Sequence, residues 1–329
     1  MIRLRHLTLL ALTALALAYH TALAQSITKP PSDSPTEDDV GVYVIDLLNI
    51  NGAQKSFRID VATIFEWSDP RLANDDEAPR RVPIEEVWHP NIQITNLREA
   101  ANTLPEVVEV SPQGMVTYRQ RLRGTFTANF DLREFPDDEQ TIAIQFVASG
   151  LRQEDLHFMN KTKLVGRSEK FSISDWAVGE TQLISSPYKL PQTGEEIPGI
   201  QIQLNAERYI GYYIGTVFSS AAIIVCMAWM VFWIDPSAIN PRVSISVTSM
   251  LTLIAHRFVV QKELPHLPYL TKMDFFLLGS TLIVLIGLIG VVVVIKAHSS
   301  GDEAHTKQWN ELFKWAYPLA FLVLLVFTL

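Results

Sequence analysis

From Tyr209 to Leu329 the chain repeats one pattern four times: a run of apolar residues of membrane-crossing length, then a polar break. The first run, Tyr209 to Ile234, carries no charged residue and exceeds the roughly 20 residues needed to cross about 30 Å of hydrocarbon. The third, Phe275 to Ile295, is also uncharged and ends in Val291, Val292, Val293, Val294 and Ile295. In the fourth, Lys314 interrupts the apolar run, and snorkelling of its amine lets a helix begin near Leu312. Helices are expected over about 209–234, 241–261, 273–296 and 309–329, together a transmembrane domain of residues 209–329. The second run differs, because Ser244, Ser246, Thr248, Ser249 and Thr252 punctuate it. Hydroxyls gain nothing facing lipid and are useful where a helix lines water, so a wet second span points to a pore.

Ahead of residue 209 the period changes. Val42 to Leu48, Phe57 to Trp67, Gly114 to Gly124, Thr125 to Leu132, Thr141 to Ala148 and Ile200 to Leu204 are short and rich in β-branched and aromatic residues, and several alternate. Long amphipathic helical stretches are missing, although Glu85 and Glu86 fit a short turn. The fold class expected is an all-β extracellular (periplasmic) immunoglobulin-like sandwich, residues 25–208, followed by a four-helix transmembrane bundle.

The first residues set the orientation. Arg3 and Arg5, an apolar core and Ala22-Leu23-Ala24 have the form of a secretory signal peptide, residues 1–24, cleaved before Gln25. Four spans after an exported start place the sandwich and the C-terminus outside, with the loops near 235–242 and 296–314 inside. The distribution of Lys and Arg between the loops agrees only weakly. A multi-pass protein of a bacterial inner (plasma) membrane is expected, in contact with membrane lipids. Its one cysteine, Cys226, lies within the first span, so the exported domain forms no disulfide.

Charge narrows the classes further. Residues 25–207 hold 29 Asp/Glu against 17 Lys/Arg, within a chain of net charge −8. That balance argues against nucleic acid as a partner, and it describes either a solvated surface or a field that concentrates cations. There is no HExxH, no GxSxG, no phosphate-cradling Gly-rich loop and no paired Cys/His spacing. Neither an enzyme, a metal site nor a cofactor is expected.

Several strings carry a likeness to a known family. Arg58 to Leu72 reads RIDVATIFEWSDPRL, with Trp67, Asp69, Arg71 and Leu72 in register; Trp88-His89-Pro90-Asn91-Ile92 follows; and Phe135-Pro136-Asp137-Asp138-Glu139-Gln140 comes after Phe130-Asp131-Leu132-Arg133. In this order, ahead of four spans, they resemble the pentameric ligand-gated ion channels of the Cys-loop receptor superfamily in their short prokaryotic form. The naming cysteines would fall at Ala128 and Ile142, a proline usual in the first span is replaced by Ser220, and the cytoplasmic insert of animal receptors is absent.

The resemblance implies a homopentamer whose second spans surround a pore for inorganic ions, opened when a small-molecule agonist or protons act on the sandwich. Helical steps from Ser244 give Thr248, Leu251, Ala255 and Phe258 as one stripe. In a ring each position becomes a belt: Ser244 and Thr248 suit a filter, and Leu251 and Phe258 an apolar gate. The same residues would also serve ordinary helix packing, and the resemblance is what favours the lumen. Asp138, Arg208, Pro265 and Tyr269 are expected to couple the sandwich to the helices. Tyr188 keeps an aromatic ring where relatives bind ligand, while Ser149 and Ile197 fall where some relatives carry the other rings of a cage, and this disfavours an amine.

His89, His256 and His266 are candidate pH sensors, a helix–helix hydrogen bond being the other role open to His256. Arg257 is expected to reach the outer interface or to pair with Glu263 or Asp274. Selectivity leans toward cations because of the acidic domain, although Pro241-Arg242-Val243 resembles anion channels. A non-conducting periplasmic sensor is the competing class, and short inner loops leave it little effector surface.

Overall fold

The alternation in the first half builds strands with one face turned inward. In the computed structural model, which describes residues 29–31, 35–75, 77–263 and 267–328, these are β1 (Thr36–Asn51), β2 (Ser56–Ser68), β3 (Arg80–Pro83), β4 (Ile92–Ile94), β5 (Leu97–Asn102), β6 (Val107–Val110) and β7 (Met115–Thr127). They continue as β8 (Glu139–Ala148), β9 (Leu156–Arg167), β10 (Trp176–Ser185), the short β11 (Tyr188–Lys189) and β12 (Glu196–Ile197), and β13 (Gly199–Arg208). The expected signal peptide lies outside the described residues.

One sheet runs β3-β6-β7-β2-β1-β9, with β5 also on β7, and the facing sheet runs β10-β13-β8-β4. All neighbours are antiparallel except β1 and β9. Val42, Val44, Ile59, Val61, Phe65 and Trp67 from one sheet meet Ile142, Ile144, Phe146, Ile200 and Ile202 from the other in the core. This is the two-layer packing that alternating strands demand.

The strand pattern is corrected in two places. Gly124 does not end a strand: β7 pairs with β2 through it and stops at Thr127 rather than Leu132, and residue 124 is glycine where a side chain would come within 2.8 Å of the Glu99 carbonyl of β5. Eight strands, β3, β4, β5, β6, β9, β10, β11 and β12, fall outside the expected segments. β10 buries only Trp176 and Leu183 and so lacks a clean period of two.

Four helices follow: α1 (Gly211–Trp233), α2 (Ile239–Glu263), α3 (Lys272–Ser299) and α4 (Glu303–Thr328), each long and apolar enough to cross a membrane. α4 begins at Glu303 rather than near Leu312, since Asp302 accepts from the His305 amide and its carbonyl from the Thr306 amide, and so starts the helix in a polar segment. Ser220, where the resemblance places a proline, lies in regular helix; α1 departs from the α-helix in a π-helical stretch at Ile214–Phe218 and a 3₁₀ turn at Val231–Trp233. Against α3, Gly287 and Gly290 admit the rings of Tyr317 and Phe313 from α4.

Candidate functional site

α2 divides into two faces. Arg242, Ser246, Ser249, Leu253 and Val260 are buried against the subunit's own helices. On the other side Ser244, Thr248, Leu251, Ala255 and Phe258 are all exposed, Leu251 by 62% and Phe258 by 64%. Arg242 and Leu251 stand about 2.5 turns apart, so the two stripes lie on opposite sides of the helix. Ser244 and Thr248 also border a groove of about 720 Å³ beside α1, with Met227, Met230, Trp233 and Ile234.

The hydroxyls of this span do not form one wet face. Ser246 and Ser249 are buried and donate to the carbonyls of Arg242 and Ile245 one turn back. A serine satisfied on its own backbone needs no water, and a list of residue types cannot reveal this. Thr252 is exposed but bonds back in the same way, to Thr248.

Arg242 and His256 of α2 turn to the subunit's own helices. His256 Nε2 lies 3.3 Å from the Val217 carbonyl of α1, a helix–helix contact. Arg257 makes no ion pair with Asp274 among the described residues, because Asp274 closes a capping box with Thr271 at the start of α3. Arg242 is fully buried and donates to Asn310 of α4.

At the other end of the bundle the sandwich meets the helices through the loop between β7 and β8. Arg208 Nε donates to Asp138 Oδ1 at 2.6 Å and Nη2 to Oδ2 at 3.3 Å, with side chains 10% and 1% exposed. Gln140 donates to the same carboxylate at 2.7 Å, and the Arg208 guanidinium lies 4.1 Å from the Trp176 ring and 4.9 Å from Phe135. The Tyr269 hydroxyl accepts from the Leu132 amide, and Arg133 sits 4.8 Å over its ring. Lys272 pairs with Glu134 at 2.7 Å. Asp138, Arg208 and Tyr269 therefore converge at one junction, while Pro265 and His266 lie outside the described residues.

The expected ligand residues gather but do not form a cage. Tyr188 and Ile197 pair across the β11–β12 hairpin, and the Ala148 amide, beside Ser149, donates to Pro198. Ile197 is buried, so it packs rather than offering a surface. Ser149 is held by its amide on the Asn91 carbonyl. His89, whose Nδ1 accepts from the Asn91 amide, lines a cavity of about 160 Å³ with Trp67, Glu106 and Tyr118, and burial lowers its pKa. No cluster able to hold a metal occurs among the described residues.

Sequence reasoning missed Asp38. It is fully buried opposite Trp67, and its oxygens and the indole N–H all lack hydrogen-bond partners. Burial raises its pKa well above the carboxylate range, and Asp39 and Glu66 add to the rise; the Glu66 amide, outside hydrogen-bond geometry, offsets only part. The signal was in the alternation, since Asp38 falls in phase with the inward Val40, Val42 and Val44.

Comparison with known proteins bears on the whole arrangement. Residues 24–209 match the neurotransmitter-gated ion-channel ligand binding domain, and residues 221–316 match the neurotransmitter-gated ion-channel transmembrane region. The chain is 22% identical over 306 residues to a proton-gated ion channel of Gloeobacter violaceus, covering 91% of this chain and 85% of that protein. It is 23% identical over 268 residues to the gamma-aminobutyric acid receptor subunit beta-4 of Gallus gallus, covering 78% of this chain and 54% of that subunit.

Proposed function

The chain belongs to the neurotransmitter-gated ion-channel family and is a ligand-gated ion channel with an extracellular sandwich and four membrane spans, and we propose that five copies surround a pore lined by α2. The observation that carries this is the exposed stripe Ser244, Thr248, Leu251, Ala255 and Phe258, opposite the face that packs against the subunit. A fivefold axis gives such a stripe a place in water without exposing it to lipid. Leu251 and Phe258 form belts that close the pore by excluding water, and Ser244 and Thr248 replace part of an ion's hydration shell.

Cations are the permeant class we favour. The acidic sandwich supports this, and the Arg242 side chain, turned into the bundle, puts no positive belt at the inner mouth. The agonist is a proton or a small non-amine molecule acting on the sandwich, where Tyr188 lies on the β11–β12 hairpin with Ser149 next to it, and His89 lines a separate cavity. Asp138, Arg208 and Tyr269 carry the signal to the helices. The membrane is a bacterial inner membrane with the sandwich outside the cytoplasm.

The test is Leu251→Thr in a planar bilayer. A hydroxyl in the apolar belt is expected to wet the pore and give conduction without agonist. Unchanged opening, together with no reaction of thiol reagents at Thr248→Cys and Phe258→Cys, would refute the lining.

A further inference from the structure

We propose that Asn310 on α4 is a positioning residue for permeation: it holds the Arg242 guanidinium behind the pore helix and so keeps a ring of positive charge out of the inner mouth. The inference rests on α2 lining the pore.

Arg242 stands in an unfavourable place three times over. It occupies the first turn of α2, where the helix dipole already presents positive charge. It is 0% exposed, and two of its nitrogens, Nε and Nη1, have no hydrogen-bond partner. Among the described residues its one hydrogen bond to a side chain is from Nη2 to Asn310 Oδ1 at 2.5 Å; the Phe232 ring lies 5.9 Å away, and the Asp235 carboxylate attracts it from beyond ion-pair distance. No carboxylate pairs with it among the described residues.

Asn310 is built to serve as that partner. Its Nδ2 donates to the Phe232 carbonyl of α1 at 2.9 Å. A carbonyl takes only donors and a guanidinium offers only donors, so the carboxamide has one orientation that satisfies both. α4 is fixed against α1 nearby: the Trp229 indole donates to the Lys314 carbonyl at 2.8 Å, and Phe232 stacks on Phe313 at 5.5 Å.

Remove the Asn310 oxygen and the guanidinium loses the one hydrogen bond to a side chain that it has among the described residues. Arg242 lies within one turn of the helix start at Ile239, and its long stem can carry the charge to the water below. Five such charges around the axis would repel cations and attract anions. A helix at the bundle's periphery thus sets what the pore admits.

The experiment measures the chloride-to-sodium permeability ratio from reversal potentials under a NaCl gradient, using the full chain in planar bilayers. Every variant carries Leu251→Thr, so that no agonist is needed. Asn310→Ala is expected to raise the ratio about threefold or more. Asn310→Asp, which keeps the acceptor, should restore the parent ratio, and adding Arg242→Gln to Asn310→Ala should abolish the rise. Loss of packing alone would lower current and leave the ratio unchanged. Should Asn310→Ala fail to assemble, Asn310→Ser, too short to bridge both partners, makes the same test. An unchanged ratio in conducting channels, or a rise that persists without Arg242, overturns the inference. Silent Leu251→Thr channels would instead overturn the pore lining on which it rests.

Discussion

Asp138→Asn removes one charge from the junction and leaves everything else in place, so its effect can be worked from the contacts. Arg208 and Asp138 are 10% and 1% exposed and meet at 2.6 Å, which makes this a buried pair that solvent screens little. Removing one partner of such a pair costs about 3 to 5 kcal/mol, because the other charge stays buried without compensation. The Trp176 and Phe135 rings soften the loss, since a desolvated cation gains about 2 kcal/mol from an aromatic face. The backbone bond from the Arg208 amide to the Asp138 carbonyl survives, so the topology of the junction is kept. Taking the low end of the range, the sandwich loses about 3 kcal/mol, or roughly 6 °C or more in thermal midpoint for a domain of this size. The assay is thermal unfolding of the assembled channel, paired with currents from the same preparation. The swap Asp138→Arg with Arg208→Asp restores the pair but not the ring contacts, because a guanidinium on residue 138 does not lie over Trp176. It should therefore recover only part of the midpoint. A midpoint for Asp138→Asn within a degree of the wild type, with unaltered currents, would refute the claim that this pair braces the end of the sandwich where α1 begins.

Two further outcomes follow from the packing. Asp38 has a raised pKa in the folded sandwich, so the stability it contributes is fully present below the ordinary carboxylate range, near about pH 4, and is lost as pH rises through the raised value. Asp38→Asn should remove that loss, and thermal midpoints of the two proteins should diverge with rising pH, the variant being the more stable; parallel curves would contradict the assignment. Gly290→Val places a side chain about 2.8 Å from the Phe313 ring and should destabilise the contact of α3 with α4 by about 1 to 3 kcal/mol, read as a lower midpoint in detergent. An unchanged midpoint would mean that Phe313 can move aside freely.

Much of the architecture could be read from period alone. Apolar runs of spanning length leave few alternatives, and the alternation around Val42 and Phe65 leads directly to strands of a sandwich. Where polar residues break the period, as in β9 with Lys161 and Lys163, the strand is invisible because its partners rather than its own pattern hold it. The stripe on α2 was legible as a helical step, but the fate of each hydroxyl was not: Ser246 and Ser249 differ from Ser244 only in which neighbours surround them. Arg242 shows the same limit in sharper form. In the sequence Pro241-Arg242-Val243 carried only a likeness to anion channels, and it is the burial of Arg242 and its contact with Asn310, 68 positions away, that reveal a side chain turned into the bundle.

The junction explains why α2 need not touch the sandwich strongly to follow it. Arg208, at the foot of β13, fixes the start of α1 to Asp138, and Phe135 from the same loop packs edge-on against Tyr213 of α1 at 5.1 Å. The Lys272 and Met273 amides at the start of α3 donate to the Arg133 and Phe135 carbonyls. One loop therefore grips the outer ends of both helices that flank α2. Its Leu132, Phe135 and Asp138 are buried, so it has little room to deform and passes displacement on as a rigid body. On the proposed pore lining, a shift of the sandwich would move α1 and α3 together and carry α2, packed against both along its buried stripe, so that belts at Leu251 and Phe258 would change diameter without any direct pull on their own residues.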